Sequence, residues 1–323
     1  HPDWYTHING QMTSPIDPKT DKPTDWTDVV DLNYNKLSMR QAMINAMMYW
    51  VKECDIDGYR CDVAGFVPND FWAELHPKLD KIKPVFMLAE WDELHDPPFL
   101  PEGVFTPNTH LLEKAFDSNY ALRLHYLIDS IAQGRKTTAA LPRYFADERR
   151  MYPAGVQLMN FTSSHDVNSW DNPESLRLGP NVQPLAVLTM LLPGIPMVYS
   201  GQEAASPKKL RFFDKDTINW NGYPLRDFYT TLLQLRKRHP ALAAYDPCVE
   251  FRLLPTAPGV VAFERRKGSA AVFTALNLTD APQTVDAPAP PAPYEDVFAP
   301  SGVKPGTQQL TVEPHGWRVL ATQ

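Results

Sequence analysis

The sequence predicts an α/β fold with parallel strands, followed by a small antiparallel β-sandwich. Three observations predict it. Short apolar runs at 57–63, 84–91, 156–161 and 195–200 alternate with helical patterns. Such alternation marks βαβ units on a parallel sheet, and strands covered on both faces read apolar throughout. Carboxylates stand at or just past the C-terminal ends of three of these runs: Asp62, Glu90 and Asp166. After Arg238 the pattern changes to short strands separated by turns such as Lys267-Gly268, which reads as the sandwich.

The 323 residues, 43% hydrophobic and 21% charged, supply enough core for one large domain and a small one. A net charge of -7 argues against nucleic acid as a partner, because that needs a basic face. The longest apolar run, 184–199, is broken by Pro193, Gly194 and Pro196, and none reaches the roughly 18 residues of a membrane span. The 3 cysteines, Cys54, Cys61 and Cys248, form neither a disulfide framework nor a metal-ligand spacing. Prolines number 32, about twice the usual share, and many fall in 281–305, which reads as loops. The chain begins at His1 with no signal-peptide pattern, so it reads as trimmed, a process that would remove any targeting segment.

Residues 1–30 are rich in turn chemistry (Asn9-Gly10, Ser14-Pro15, Asp17-Pro18, Lys22-Pro23) and read as a surface excursion. Its Trp4, Tyr5 and Trp26 either stack on a sugar or pin the loop to the body. Ser38 followed by Gln41 predicts a capping box at a helix start. Met39, Met43, Ala46, Met47, Trp50 and Cys54 recur at helical spacing and predict its buried face. A second helix over 70–83 presents Phe71, Trp72, Leu75, Leu79 and Ile82, with Pro77 predicting a kink or a late start. A short element at 115–117, a helical pattern to 134, an apolar helix at 184–192 and an amphipathic helix at 228–238 come next. Strands are then expected at 251–254, 260–265, 270–277, 310–312 and 317–322.

Side chains alternate along a strand, so Arg60 and Asp62 share a face of the 57–63 run. Taken alone, the pair reads as a structural ion pair or as a catalytic carboxylate kept ionised by its Arg neighbour. Glu90 ends the run 84–91; apolar surroundings there would favour its protonated form, which suits a general acid. Asp166 stands just past the next run, beside His165. Parallel strands open their C-terminal ends on one side, and loops on that side carry the active site in α/β barrels. The three carboxylates are therefore expected on one rim, which favours chemistry over a structural pair.

In this order the motifs resemble those of the α-amylase family of retaining α-glucan hydrolases. Asp57-Gly58-Tyr59-Arg60-Cys61-Asp62 is similar to the nucleophile strand, Leu88-Ala89-Glu90 to the acid/base strand, and Phe161-Thr162-Ser163-Ser164-His165-Asp166 to the stabiliser motif. Leu192-Pro193-Gly194-Ile195-Pro196-Met197-Val198-Tyr199-Ser200-Gly201-Gln202-Glu203 is similar to the eighth strand. The resemblance implies a TIM-type (β/α)8 barrel, of which this chain holds strands 4–8, plus the C-terminal antiparallel β-sandwich. Its domains would be 1–30, a remnant of the excursion after the third strand, 31–245, the barrel, and 246–323, the sandwich. It implies Asp62 as nucleophile, Glu90 as acid/base and Asp166 as stabiliser. Arg60, His165, Phe66, Trp91 and Asn168 would be substrate contacts. The implied substrates are α-1,4-glucans such as starch and maltooligosaccharides. A transglycosylase with the same carboxylates and a non-catalytic sugar-binding relative remain alternatives; the latter commonly lacks one of the carboxylates, and all are present in this chain.

Departures from the family pattern carry further expectations. Its Asn-His pair at the end of the third strand is absent, and His1-Pro2-Asp3-Trp4-Tyr5 resembles the family's segment just after that pair. An N-terminal fragment, as a separate chain or a cleaved piece, is then expected to complete the barrel. Classical α-amylases carry Lys-His shortly after the nucleophile, the His carbonyl binding calcium; Gly65-Phe66 occupies that region. No cofactor is implied for the chemistry, and a structural calcium ion is left open. Ser164 stands where Asn is commoner, which predicts an altered subsite contact. Starch polymers do not enter cells, so a secreted or periplasmic location is preferred, with localisation otherwise open.

Overall fold

The computed structural model describes residues 1–17, 20, 22–91, 108–289, 292–298 and 308–323. The expected turn at Asp17-Pro18 and the loop reading of 281–305 fall partly outside these residues. The chain divides into two compact units, His1–Tyr120 with Arg150–Val156 and Ala121–Arg149 with Gln157–Gln323.

The first unit opens with two small hairpins. In the first, β1 (His7–Ile8) pairs antiparallel with β2 (Gln11–Met12). Between them Asn9 and Gly10 both take positive φ, 51° and 78°, as an Asn-Gly hairpin turn requires. β3 (Ile16–Asp17) and β4 (Lys22–Pro23) make the second. The aromatic rings of this excursion pin it down. Trp4 Nε1 donates to Ser38 Oγ at 3.0 Å, and Trp26 stacks on Phe66 with centroids 5.4 Å apart.

Helix α1 (Leu37–Cys54) begins one residue before Ser38, and no side chain caps it. Ser38 lies inside the first turn with its hydroxyl engaged by Trp4, while Gln41 bonds Asn45, so the expected capping box does not form. The buried face also differs: Met39, Ile44 and Val51 are buried, whereas Ala46, Trp50 and Cys54 are exposed. The helix is apolar nearly all round, so its period alone does not choose a face. It delivers the chain to β5 (Gly58–Cys61). α2 (Asn69–Asp80) buries Phe71, Trp72, Leu75 and Leu79, the predicted face, with Pro77 inside its last turn. β6 (Phe86–Ala89) is next, then α3 (Asn108–Lys114) and β7 (Ser118–Asn119). β7 lies just past the expected 115–117 element. β5, β6 and β7 pair in parallel, Cys61 opposite Ala89 and Ala89 opposite Asn119.

The second unit contains α4 (Leu122–Ala132), most of α5 (Leu141–Met151), β8 (Met159–Asn160), α6 (Glu174–Leu178), α7 (Val182–Leu191), β9 (Ile195–Pro196) and α8 (Arg226–Arg238). β8 and β9 pair in parallel over two residues each, shorter than the apolar runs that contain them. α7 is buried on every side from Pro184 to Leu191, while α8 buries Phe228, Tyr229 and Leu232.

The C-terminal part is antiparallel, as expected. β10 (Glu250–Leu254), β11 (Val260–Lys267), β12 (Ala270–Asn277), β13 (Gln283–Ala287), β14 (Tyr294–Asp296), β15 (Gln308–Val312) and β16 (Trp317–Thr322) form two sheets. One has the order β10-β11-β12-β16-β14 and the other is the pair β13-β15. β13 and β14 were not legible as strands, being short and set among prolines. The larger sheet is covered on both faces. Val260, Ala262, Phe273 and Leu320 pack with Val285 and Val312 of the small sheet. Val261, Phe263, Val272 and Val319 share a core with the helices.

One buried group of the second unit responds to pH. Glu148 on α5 receives Arg123 Nη1 at 3.0 Å, but its other oxygen is buried with no hydrogen-bond partner among the described residues. Burial pushes its carboxyl from the ordinary 4.5 up to about 7 despite Arg123. The folded chain therefore holds this proton more tightly than the unfolded chain. That stabilisation is full below about pH 4.5 and is lost as pH rises through about 7. Relative to Glu148→Gln, the native protein is expected to lose up to about 3 kcal/mol over this window, at about 1.4 kcal/mol per pKa unit. Thermal unfolding of both proteins across the range measures it.

Candidate active site

In the first unit the parallel ladder carries two carboxylates to neighbouring strand ends. Beyond Cys61 opposite Ala89, Glu90 N donates to Cys61 O at 2.9 Å and Ala64 N to Glu90 O at 2.9 Å, so the chains stay paired past both strands. Asp62 and Glu90 leave from this paired region. Arg60 ion-pairs with Asp62, and its Nη2 lies 3.7 Å from Glu90 Oε2. Burial works against the Arg60 charge, but the Asp62 hydrogen bond and Glu90 carry its pKa above the ordinary value. The Tyr120 ring lies 5.8 Å from the guanidinium. Of the three side chains, Asp62 is the accessible one at 69% exposure, against 28% for Arg60 and 25% for Glu90.

The turn after Asp62 is constrained. Val63 takes φ 42°, a left-handed conformation unusual for a β-branched residue, and its N–H donates to Glu90 Oε2 at 2.9 Å. Backbone strain of this kind costs about 1–3 kcal/mol and gathers at functional sites. The surroundings of Glu90 are thus polar, with an amide and a guanidinium nearby, and not the apolar setting expected at the end of a buried strand. The next turn, Ala64–Phe66, lies against Trp91: a Cβ on Gly65 would meet the indole at 2.2 Å.

The expected ring contacts divide. Phe66 is half-buried between Trp26 and Trp91. Trp91 is 6% exposed, and its backbone N–H and C=O are both held by the Asn119 amide. Trp91 thus packs against Phe66 and Gly65 in this structure.

The second unit carries His165 and Asp166, just past β8. His165 Nε2 lies 3.2 Å from Asp166 Oδ2, and both side chains are partly exposed. Burial and the Asp166 carboxylate push the Tyr199 phenol up, which puts Tyr199 within electrostatic reach of Asp166. Ser164 serves the turn: its hydroxyl accepts from Val167 N at 3.2 Å. Asn168 is 7% exposed; its Nδ2 donates to Lys208 O at 3.1 Å and its Oδ1 accepts from Leu210 N at 2.8 Å. Both ends of the amide hold the 208–210 backbone, so Asn168 ties a loop. Among the described residues no group of three or more His, Cys, Asp or Glu could hold a metal ion.

The family model for the α-amylase catalytic domain matches residues 23–97, the segment that holds Arg60, Asp62 and Glu90. The α-amylase MalA of Haloarcula japonica is 26% identical over 294 residues, 89% of this chain and 40% of that protein. The chain is related to the α-amylase family. A cyclomaltodextrin glucanotransferase of a Bacillus species is 24% identical over 270 residues, 80% of this chain and 35% of its own length. Among solved structures, an α-amylase from Lactobacillus plantarum superposes with TM-score 0.79 at 25% identity, covering 100% of this chain and 74% of that one. The chain spans about 40% of the length of MalA.

Sequence reasoning missed a buried network in this α-amylase relative. Gln202, past β9, accepts from Tyr199 N at 2.6 Å and donates to Thr162 Oγ1 at 2.8 Å and Glu174 Oε2 at 2.5 Å. Thr162 Oγ1 also donates to Glu174 at 2.9 Å, and burial raises the Glu174 pKa. Arg177, 5% exposed, donates to both Asp129 oxygens at 2.6 Å and to Thr162 O at 2.5 Å. The network thereby fixes the residues leading to His165 and Asp166. No pattern in the sequence links Thr162, Glu174 and Gln202, which lie in three separate polar segments. Gln202→Ala removes one of the two hydrogen-bond donors to the buried Glu174 carboxyl and is expected to destabilise the protein by about 2 kcal/mol, measured by urea unfolding.

Proposed function

We propose that the protein is a retaining glycoside hydrolase acting on α-1,4-linked glucans, with Asp62 as nucleophile, Glu90 as acid/base and Asp166 as transition-state stabiliser. The observation that carries this is the Arg60 guanidinium shared by Asp62 and Glu90 at the ends of two paired parallel strands. Neighbouring strands run about 4.8 Å apart. Retaining glycosidases separate their carboxyls by about 5–5.5 Å, and inverting ones by about 6.5–9.5 Å. In-register residues on adjacent strands fit the shorter distance.

In this reading Asp62, paired with Arg60 and accessible, attacks the anomeric carbon and forms a covalent glycosyl-enzyme. Glu90 protonates the departing glycosidic oxygen, then takes a proton from the incoming water as that water breaks the ester. Two displacements restore the α anomer. Asp166 faces the positive charge that develops on the ring, and His165 bonds its hydroxyls. A sugar hydroxyl in place of water would give transglycosylation, a reading favoured by the glucanotransferase relative. Product analysis on soluble starch, maltotriose, a cyclodextrin and pullulan separates the two outcomes.

The proposal includes the (β/α)8 barrel and a segment that completes it. Among the described residues β5 has a strand neighbour on one side only, and Leu37, Tyr49 and Trp50 of α1 are exposed. An unpaired strand edge and exposed rings each call for a cover. Native mass spectrometry of the purified protein is expected to find additional N-terminal sequence, in the same chain or bound to it. A folded monomer of these residues alone would refute this part.

In the full-length protein, Asp62→Asn is expected to abolish turnover while fold and sugar binding persist. Glu90→Gln should slow starch cleavage by about 10²–10⁴-fold. It should slow a dinitrophenyl glycoside, whose leaving group departs unprotonated, far less. Near-native turnover by Asp62→Asn, or equal loss on both substrates for Glu90→Gln, would rule out the assignments.

A further inference from the structure

Aromatic rings gather on the surface of the second unit, outside the groups assigned to the reaction. Trp170, Phe212 and Phe213 are exposed by 57%, 42% and 73%. They touch one another: Trp170 and Phe212 centroids are 4.8 Å apart, and Phe212 and Phe213 4.9 Å. Single exposed rings are ordinary, but a contiguous group marks a binding surface.

The ridge is held in place. Asn168 grips the 208–210 backbone at both ends of its amide. Lys209 Nζ donates to the carbonyls of Trp170 at 3.0 Å and Asp171 at 2.7 Å. Lys208 ion-pairs with Asp216 and donates to Thr217 O at 2.9 Å. The loop that presents Phe212 and Phe213 is thus tied to the segment that presents Trp170, so the rings need little ordering when a ligand arrives.

The ridge is continuous with the cleft at His165. The Phe212 ring lies nearly parallel to the His165 ring, 18° apart in plane with centroids 6.4 Å apart. Both line an open cleft of about 660 Å³ together with Tyr199, Asp214, Thr217 and Trp220. Its walls alternate flat apolar faces with hydroxyl and carboxylate groups. A pyranose has the matching surface, an apolar C–H face bordered by hydroxyls. A lipid or an apolar helix would take the charged Arg211, Asp214 and Asp216 that line the cleft out of water, at a cost of several kcal/mol per ion.

We propose that Trp170, Phe212 and Phe213 form a stacking platform for glucose rings beyond the ring held at His165 and Asp166, selecting longer glucans over short ones. This rests on the proposed α-glucan activity. The platform binds rings that do not react, so it acts through substrate affinity and leaves the chemical step to the carboxylates.

The test compares maltoheptaose with maltotriose in the full-length protein, for the native enzyme, Trp170→Ala, Phe213→Ala and the conservative Trp170→Phe. The alanine variants are expected to lower the ratio of kcat/KM on the long substrate to that on the short one by about three- to tenfold, mainly through KM. Trp170→Phe should retain most of the ratio. Quenching of Trp170 fluorescence by maltoheptaose in an Asp62→Asn background should be lost with Trp170→Ala. An unchanged ratio overturns the proposal, as does an equal loss on both substrates with a lowered melting temperature. Variants that leave the ratio alone but dissolve an oligomer would make the ridge an interface between copies and also overturn it. If the native protein cleaves no α-glucan, the hydrolase reading falls. Trp170-dependent quenching by maltoheptaose would still support the platform in that case, and its absence would overturn it.

Discussion

The Arg60 guanidinium is the interaction on which the rest of the first unit depends. Two carboxylates at adjacent strand ends repel, and bringing them together without a cation would drive one to take up a proton. Arg60 lies between them, pairing with Asp62 and reaching toward Glu90. The surrounding structure keeps that cation in place. Lys83 anchors the entry to β5 through Asp55 at 2.6 Å and Asp57 at 3.0 Å. Past β5, the left-handed Val63 aims its N–H at Glu90. Behind these, Trp72 donates to Ala64 O at 3.0 Å, and Trp91 fills the space that Gly65 leaves open.

The second unit meets a similar demand by other means. His165 and Asp166 stand on a short turn after a two-residue strand, which has little ladder to steady it. Buried hydrogen bonds supply what the strand lacks. Gln202 links the end of β9 to Thr162 and Glu174, and Arg177 joins Thr162 to Asp129 on α4. Networks of this kind are costly when partly satisfied and rigid when complete. Below them, α7 is buried on every side between the parallel strands' helices and the antiparallel sheet, whose Arg265 donates to Leu192 O at 3.2 Å.

Much of this was legible beforehand. The short runs located β5, β6, β8 and β9, although only β6 is buried along most of its length. The pairing of Arg60 with Asp62 followed from side-chain alternation. The misreadings have physical causes. The buried face of α1 was misjudged because Met and Ala residues surround the helix, so several stripes fit the same period. The Ser38–Gln41 pattern does not cap, since the helix starts before Ser38 and Trp4 occupies its hydroxyl. The packing of Trp91 and the loop-tying bonds of Asn168 were not legible from their positions beside Glu90 and Asp166. Nearness along the chain says nothing of direction, and both side chains turn into the protein.

By itself the sequence determined the classes of element, their order, and which acidic side chains end which strands. Those properties are local: periodicity, alternation and turn chemistry act within a few residues. Only the tertiary structure decided that one guanidinium serves both Asp62 and Glu90, that Gln202 reaches Glu174, and that Asn168 ties down the loop bearing Phe212 and Phe213. The Arg60–Glu90, Gln202–Glu174 and Asn168–Leu210 links join residues 30, 28 and 42 positions apart. Their meeting depends on strand register and on which side chains find partners when buried, and neither is written in any short stretch of the chain.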